Sequence, residues 1–584
     1  MRRLFGYIRR YWVLYACGIL CTLSFAILQM TLPVLMRDVV NAVQRGHLNR
    51  LVHYTTLMIG LAAMMGVARA VSRSIIFNTG RDVEYDLRND LFAHLTKLGP
   101  DFYERLRTGD LMSRMINDLA AVRMMVGMGV LNFTNTPVTY LFALAFMFSL
   151  NVRLTLATIT PYIALFVMIR FLTRSMMERS FKVQQGLGVL GSKVQESLSG
   201  IHVVKAYTLE EREGERFHSL NDRYNEQGLA LARVRGAMTP LIRATIAGSM
   251  MILLTYGGVL IQARKISIGD LTAFILYLQQ LGAPTVSIGW MISVYQRARA
   301  SMKRLEDIFQ AVPPISVGGS DARLEINGSI EWEHVSFSYL ADDPLWGNGA
   351  QRPLALRDIN VKVPAGGKLA IVGRTGAGKS TMVKLLVRLI EPTYGRVLVD
   401  GCDVREIPLG SLRRTIGLVP QEAILFSDTM ARNIAFGRPD ALPAEIAAAA
   451  QVAGLEGDIT VMPRGIDTIV GERGMSLSGG QKQRVTIARL LTYNPAVVVL
   501  DDALSSVDTE TERAVLQSLE ETVKGRTSIV VAHRASTVRD ADEIVVLDDG
   551  MIAERGTHEQ LMARRGIYAE LFRRQLLEEE LARY

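Results

Sequence analysis

The chain has 584 residues, too many for one hydrophobic core, so several folded units are predicted. Its long apolar runs lie mostly before Val294, which predicts a membrane-embedded half followed by a soluble half. The net charge of +9 is accounted for by lipid headgroups and phosphate ligands, and without a clustered basic face it does not indicate nucleic-acid binding. The three cysteines, Cys17, Cys21 and Cys402, lack disulfide or metal-site spacing and are predicted to be small buried side chains.

Six apolar segments in the first half have the length of about twenty residues that a bilayer crossing requires. They are residues 11–31, 53–76, 125–150, 154–171, 241–261 and 271–294. An even number of spans puts both ends of the half on one side, and the arginines at positions 2, 3, 9 and 10 predict that this side is the cytoplasm. Residues 1–10 are predicted to form an amphipathic helix on the same membrane surface.

The connections after the second and fourth spans are long, charged and periodic, which predicts helices that continue into the cytoplasm. Candidate turns lie at their tips, in residues 99–110 and 203–211. These tips either press on the soluble half or are ordinary solvated helix ends. Polar side chains inside the spans either line a ligand cavity or bond between helices. They are Gln29, Arg69, Asn132, Asn135, Arg243, Gln279 and Gln280.

Residues 311–323 have the proline and glycine content of a linker, which divides the chain into a membrane domain, 1–310, and a soluble domain, 324–584. Alternating apolar residues from Ile330 to Phe337 predict a strand. It ends at Tyr339, whose ring could stack on adenine or pack on the sheet. The polar segment 340–353 is predicted to be a surface loop without an assigned function.

A glycine-rich pattern after the apolar run 369–372 is typical of a phosphate-binding loop that opens a helix. The pattern consists of Gly373, Arg374, Thr375, Gly376, Ala377, Gly378, Lys379, Ser380 and Thr381. Glycines let backbone N–H groups surround phosphate oxygens, Lys379 can reach the terminal phosphates, and Ser380 can ligand magnesium. The sequence therefore predicts an ATP or GTP site.

Three further motifs follow. Asp501 and Asp502 end the apolar run 497–500, where the first carboxylate can hold magnesium and the second can orient or deprotonate water. A helix start at Ser478, Gly479, Gly480 and Gln481 offers another anion-binding terminus, which one chain cannot easily fold onto the same phosphates, so a second copy is indicated. His533 follows a strand and can contact a terminal phosphate.

With Gln421 and the segment 505–508, these motifs resemble the ATP-binding-cassette (ABC) transporters in order and spacing. Six spans ahead of one cassette resemble the exporter-type half-transporters, which include multidrug, lipid-A and peptide exporters. The resemblance implies an all-α six-helix transmembrane domain of the type I ABC exporter fold, followed by an α/β P-loop nucleotide-binding domain. It also implies ATP-driven export with ATP and Mg²⁺ as cofactors, a second half-transporter as partner, and a multi-pass protein of the bacterial inner membrane.

The resemblance further implies residue roles. Tyr339 would stack on adenine, and Ser380, Gln421 and Asp501 would arrange magnesium and its water. Ser478, Gly479, Gly480 and Gln481 would contact ATP bound to the partner cassette, and Asp508 would lie at that interface. Gln421 would also sense the tips at residues 99–110 and 203–211.

Asp502 departs from the family pattern, in which glutamate at this position is the catalytic base. Aspartate is one methylene shorter, so its carboxylate should lie on the order of 1.5 Å short of the water, and a misplacement near 1 Å can cost about a hundredfold in rate. Similar transporters with aspartate here are commonly one half of a heterodimer whose own site hydrolyses ATP poorly. The expected function is therefore export of a hydrophobic or amphipathic cargo by a heterodimer.

Four alternatives remain at this point. The chain could form a homodimeric exporter that uses Asp502 as a weak base, or an importer on the same fold. It could be an ATP-gated channel, which would conduct passively on ATP binding without turnover. It could also be a membrane-anchored ATPase acting on nucleic acid, although six spans are far more than an anchor requires.

Overall fold

The computed structural model describes residues 1–106, 108–313, 315, 327–339, 354–471, 477–507, 509–532 and 538–581. His533, Asp508 and the 340–353 loop, to which the sequence drew attention, lie outside these residues. The chain divides into two compact units. One comprises Met1–Lys97 and Arg107–Ala311, and the other comprises Leu98–Leu106 and Val312–Tyr584.

The first unit is built from helices throughout its described residues. In chain order they are α1 Arg2–Arg10, α2 Trp12–Gln44, α3 Leu48–Leu95, α5 Thr108–Ser113, α6 Leu119–Met124, α7 Val130–Leu150, α8 Val152–Ser199, α9 Ile201–Ala206, α10 Glu210–Gln262 and α11 Ile268–Gln310, with α4 Pro100–Arg105 belonging to the second unit. Two π-helical turns, Arg114–Asp118 and Met125–Gly129, join α5, α6 and α7 into one continuous helical segment.

Six helical segments of this unit are long and apolar enough to cross a membrane, so the predicted all-α six-helix transmembrane domain is confirmed. They run for 33 to 53 residues, well beyond the predicted spans, because apolar composition marks only the part of a helix that meets lipid. The two predicted tips are partly helical, since α4 lies within residues 99–110 and α9 overlaps the start of residues 203–211.

The start of α11 packs closely on α2. The Oδ1 atom of Asn41 accepts a hydrogen bond from the backbone N–H of Gly269 at 3.2 Å. A Cβ added at Gly269 would lie 2.4 Å from the carbonyl oxygen of Arg37, so only glycine fits here without a shift. One further contact ties the same two helices, since the Tyr277 hydroxyl donates to the carbonyl of Met30 at 2.9 Å. The first and sixth spanning helices are thus joined at two levels.

The second unit contains two sheets and their helices. Its strands are β1 Ile330–Phe337, β2 Leu356–Val363, β3 Lys368–Gly373, β4 Tyr394–Val399, β5 Cys402–Asp403, β6 Ile416–Val419, β7 Val497–Asp501, β8 Thr527–Val531, β9 Glu543–Asp548 and β10 Met551–Gly556. Its helices after α4 are α12 Lys379–Leu386, α13 Leu409–Thr415, α14 Met430–Ile434, α15 Pro443–Val452, α16 Glu456–Val461, α17 Gly479–Tyr493, α18 Thr509–Val523, α19 His558–Arg564 and α20 Ile567–Leu581.

The larger sheet has the order β10-β9-β3-β8-β7-β6, and all its pairings are parallel except that of β10. Alternate residues of β3 enter two different cores: Leu369 packs toward the antiparallel sheet β2-β1-β4-β5, while Ala370 packs toward the helices. Because β3, β8, β7 and β6 are parallel, their carboxyl ends share one edge of the sheet. That edge carries the predicted motifs.

The prediction that the three cysteines are buried was wrong. Cys17 and Cys402 are exposed within the chain, and Cys21 is half-buried. Cys402 lies on the two-residue edge strand β5, where one side has no neighbouring strand to cover it. Cys17 belongs to a spanning helix, whose apolar residues need not face the protein interior.

We expect Gly269→Ala to lower the unfolding temperature in detergent, because the added methyl group must displace the Arg37 carbonyl or the Asn41 amide. Overpacking of this kind typically costs about 1–3 kcal/mol. The matched control is Gly258→Ala on α10, where an added Cβ meets nothing within 4 Å. Equal unfolding temperatures for the two variants would show that the α2–α11 contact does not contribute to stability.

Candidate functional site

Neighbouring strand ends bring the predicted nucleotide motifs to one cavity of about 290 Å³. Strand β3 leads into the phosphate loop, β7 ends at Asp501, and β8 lies between them. The cavity is lined by Tyr339, Ala355, Thr375, Gly376, Gly378, Lys379, Ser380, Thr381, Gln421, Asp501, Asp502 and Val531. Most of the residues predicted for adenine, phosphate and magnesium binding therefore meet in one place, whereas Gly373, Arg374 and Ala377 of the loop do not line this cavity.

The phosphate loop runs in close contact with neighbouring backbone. A Cβ at Gly373 would lie 2.2 Å from the carbonyl oxygen of Leu547 on β9, and one at Gly378 would lie 2.6 Å from that of Ala355. Gly378 also has φ of +99°, a left-handed conformation that favours glycine, directly before the first residue of α12. The pattern of glycines thus fixes the loop at the N-terminus of a helix, where anions bind.

Lys379 is oriented by the loop itself. Its Nζ donates to the carbonyl oxygens of Gly373 at 2.8 Å and Arg374 at 2.9 Å, and the side chain is 6% exposed. Burial lowers the pKa of Lys379, an effect that the carboxylates of Asp502 and Asp501 oppose. The ammonium group is therefore held within the loop that would surround a phosphate chain.

Oxygen atoms suited to magnesium lie beside this lysine. The Ser380 hydroxyl donates to Oδ1 of Asp501 at 3.1 Å, and Gln421 lines the same cavity. Burial raises the pKa of Asp501, and the hydrogen bond from Ser380 works in the opposite direction. Hydroxyl, carboxylate and amide oxygens are the hard ligands that Mg²⁺ prefers, with phosphates completing its coordination. The residues present fit a magnesium ion bound together with nucleotide.

Asp502 has an unusual backbone conformation. Its φ is +50°, in the left-handed region, and its N–H donates to the carbonyl of Val531 at 2.9 Å. Aspartate is among the residues that tolerate this region best, since a short polar side chain limits the steric cost. The carboxyl group is half-buried and lines the nucleotide cavity.

Tyr339 follows β1 at the side of the cavity near the end of the phosphate loop. Its hydroxyl is 3.1 Å from Oγ1 of Thr381, and its ring contacts Phe337 edge to face at 4.8 Å between centroids. The ring thus packs on the sheet and lines the cavity at once. The two alternatives raised by the sequence are compatible.

The helix start at Ser478 does not line this cavity. Ser478 and Gln481 form a capping box, with the Gln481 N–H donating to Ser478 Oγ at 3.2 Å and the Ser478 N–H to Gln481 Oε1 at 2.9 Å. Gly480 lies against the segment after Asp502, since a Cβ there would be 3.0 Å from the Ser506 carbonyl oxygen. The helix start therefore lies outside the lining of its own chain's nucleotide cavity.

Sequence reasoning missed two features near the site. Gln483 is buried and bonds both to Ser505 Oγ, at 3.0 Å, and to the Ser506 N–H, at 2.9 Å, so it joins α17 to the segment after Asp502. The signal available in the sequence was the position of Gln483, two residues after Gln481 of the predicted helix start.

Helix α20 forms one wall of a second cavity, of about 710 Å³, that shares Thr375 and Asp502 with the first. No local pattern links this distant helix to the loop.

Comparison with known proteins gives a consistent result. Residues 15–285 match the family described as ABC transporter transmembrane region, and residues 356–505 match the family described as ABC transporter. The chain is 34% identical to the probable multidrug resistance ABC transporter ATP-binding/permease protein YheI of Bacillus subtilis, over 99% of this chain and 98% of the relative. It is 33% identical to the multidrug resistance-like ATP-binding protein MdlA of Escherichia coli, over 98% and 96%.

A solved structure extends the similarity to three dimensions. The chain resembles a bacterial Atm1-family ABC exporter with ATP bound, with a TM-score of 0.79 and 31% sequence identity. The superposition covers 97% of this chain and 99% of that one. Both units of the chain therefore have counterparts in one protein.

Lys379→Met should weaken ATP binding by roughly 10- to 100-fold, because a charge-assisted hydrogen bond to phosphate contributes about 1.5–3 kcal/mol. Titration with a fluorescent ATP analogue measures the change. Lys524→Met removes an exposed lysine outside the cavity lining; it is the control and should bind as the unmodified chain does. Equal affinity for the two variants would contradict the role of Lys379.

Proposed function

Because the chain belongs to the ABC transporter family as an exporter-type half-transporter, we propose that it exports hydrophobic or amphipathic cargo as the weakly hydrolysing half of a heterodimer. As an integral membrane protein with an ATPase domain, it couples ATP hydrolysis to transport. We place its N-terminus and ATPase domain in the cytoplasm of a bacterial cell, a proposal supported by the arginines before the first span. The boundaries 1–310, 311–323 and 324–584 are part of the same proposal.

The chain's own residues bind and orient the nucleotide. The loop N–H groups and Lys379 would hold the phosphates, Tyr339 would pack on adenine, and Ser380, Asp501 and Gln421 would hold magnesium. Magnesium would neutralise phosphate charge during hydrolysis. In this proposal Asp502 accepts a proton from water, and His533 would contact the terminal phosphate. Bound ATP is thereby fixed in position before any bond is broken.

Dimer formation completes the second face of each site. Ser478, Gly479, Gly480 and Gln481 begin α17 outside the lining of their own nucleotide cavity. The N–H groups of Gly479 and Gly480, which the capping box does not use, can therefore bind ATP on another chain. Gln483 ties this helix start to the segment after Asp502, which leads to Asp508. ATP can therefore act as a clamp between two cassettes.

The heterodimer rests on one observation, the aspartate at position 502. Its carboxylate is shorter than the family's glutamate, and its backbone adopts a left-handed conformation that suits aspartate. The same chain retains the helix start at Ser478, which serves the partner's site. We propose that most hydrolysis occurs at that partner site, while ATP beside Asp502 turns over slowly.

Two buried polar atoms support a cargo site within the membrane domain. Oδ1 of Asn135 and Oε1 of Gln280 are buried and have no hydrogen-bond partner among the described residues. An unpaired buried acceptor is costly, especially where water is scarce. Cargo carrying a hydrogen-bond donor would satisfy them, and the apolar residues around them would accept its hydrophobic part.

We propose that the tips at residues 99–110 and 203–211 transmit cassette closure to the spans. For the first tip, the proposal is supported by the grouping of Leu98–Leu106 with the second unit. For the second tip, Val203 and Tyr207 are 58% and 71% exposed within the chain, so an apolar surface is free to meet a partner. Closure of two cassettes on ATP would then alternate the membrane halves between inward and outward openings.

The purified chain without a partner should hydrolyse ATP slowly, and Asp502→Glu should raise its turnover by about 10- to 100-fold, because the longer side chain brings the carboxylate nearer the water. Asp502→Asn keeps the size but removes the base, so it should abolish the remaining activity. Steady-state phosphate release measures all three proteins. Vigorous turnover by the unmodified chain would reject the heterodimer in favour of a homodimer.

Gln280→Leu should weaken the stimulation of ATPase activity by cargo while leaving the basal rate unchanged, if the buried amide oxygen bonds to cargo. The neighbouring Gln279 is exposed, so Gln279→Leu is the matched control. A panel of amphipathic drugs supplies the probes, and the half-maximal drug concentration is the measured quantity. An unchanged drug response in Gln280→Leu would exclude Gln280 from the cargo site.

A further inference from the structure

The N-terminal helix α1 is fixed to the membrane unit by one face. Leu4 and Tyr7 are buried, and the Tyr7 hydroxyl donates to Oδ2 of Asp90 on α3 at 2.5 Å. The Arg10 guanidinium bonds to Asp86 on the same helix at 3.1 Å. These contacts set the orientation of α1 and leave its opposite face uncovered.

The same inner face also contacts the end of the sixth spanning helix. Nε of Arg3 is 3.4 Å from Glu306, and its guanidinium carbon lies 4.1 Å from the centre of the Phe309 ring. Helix α11 ends at Gln310, and the chain then continues into the ATPase domain. A change in the position of α1 would therefore act on the last turn before that domain.

The outer face has a different composition. Arg2, Phe5 and Arg9 recur at intervals of three and four residues, which places them along one side of α1, and Trp12 follows at the start of α2. Phe5 and Trp12 are 67% and 64% exposed. Arg2 and Arg9 are exposed, and within the described part of the chain neither forms an ion pair, in contrast to Arg3 and Arg10.

We propose that this outer face binds anionic lipid headgroups and that lipid charge thereby regulates the ATPase. Guanidinium groups bind phosphate oxygens with two parallel hydrogen bonds, and aromatic rings favour the headgroup level of a bilayer. The occupant is a lipid rather than a free anion because the surface continues into the exposed apolar residues Val13 and Leu14 at the start of the first span. Two cations beside two aromatic rings match a charged headgroup joined to acyl chains.

Lipid binding on the outer face would stabilise the contacts on the inner face. Headgroups that hold Arg2 and Arg9 at the membrane surface keep α1 where Arg3 meets Glu306 and Phe309. In a zwitterionic bilayer this constraint is weaker, because neutral headgroups attract the arginines less. The regulated element is therefore the end of α11, and the regulator is the surface charge of the leaflet. This inference is independent of cargo and partner identity.

The direct test titrates the full chain, in detergent, with a short-chain phosphatidylglycerol and with the matching phosphatidylcholine, and follows the unfolding temperature. We expect phosphatidylglycerol to stabilise the protein more. The double variant Arg2→Ala/Arg9→Ala should weaken its apparent affinity by about 30-fold, since each arginine near an anionic surface contributes about fivefold. Arg2→Lys/Arg9→Lys, which keeps both charges, should retain most of the affinity.

The matched control is Arg45→Ala/Arg50→Ala, which removes two exposed arginines beyond the other end of α2 and should leave the lipid response unchanged. Inorganic phosphate serves as the free-anion probe and should not reproduce the stabilisation. In vesicles, ATPase activity of the assembled transporter should rise with the anionic lipid fraction, and the Arg2/Arg9 alanine variant should lose most of that rise. An unaltered lipid response in that variant, an equal loss in the Arg45/Arg50 control, or full stabilisation by phosphate would overturn the proposal.

Discussion

The nucleotide site depends on backbone packed against backbone. Two glycines of the phosphate loop, Gly373 and Gly378, pass so close to the carbonyls of Leu547 and Ala355 that a side chain at either position would collide with them. This packing fixes the loop to the edge of the sheet, and the fixed loop carbonyls orient Lys379. Ser380 then begins the helix within hydrogen-bond reach of Asp501. The groups that would contact phosphate and magnesium are thus held in place by contacts within the protein itself.

Asp502 connects backbone conformation with the proposed division of hydrolysis between two unlike cassettes. A left-handed residue at the end of β7 favours a short polar side chain, whereas efficient proton abstraction favours a longer carboxylate. Aspartate at this position therefore suits the left-handed backbone better than glutamate would, but its carboxylate extends less far toward the water. The helix start at Ser478 does not line its own cavity, so it does not depend on this choice. One subunit can be a poor hydrolase at its own site and still complete a good one on its partner.

In the membrane unit, buried carboxylates are paired at the helix extensions. Asp118, on a π-helical turn, accepts from Nε of Arg304 and from the hydroxyl of Ser301, each at 2.8 Å. Glu84 accepts from Arg88 at 2.6 Å and from Arg123 at 2.9 Å. Removing one partner would leave a buried charge uncompensated, which is strongly destabilising. Together with α1, these pairs join the extensions of the second, third and sixth spanning helices. A displacement of one extension would therefore displace the others.

The sequence alone determined the class of each half and the location of the candidate site. Apolar runs of bilayer length identified the six spans, and short motifs identified the phosphate loop and Asp501, because both signals depend on contiguous residues. Tertiary structure decided what distant residues do together. The bonding of α1 to α3 and α11, the link from Gln483 to Ser506 and the wall formed by α20 join residues far apart in the chain, and no local pattern specifies such contacts. The left-handed conformation of Asp502 likewise depends on the neighbouring strand β8, whose Val531 carbonyl accepts its N–H.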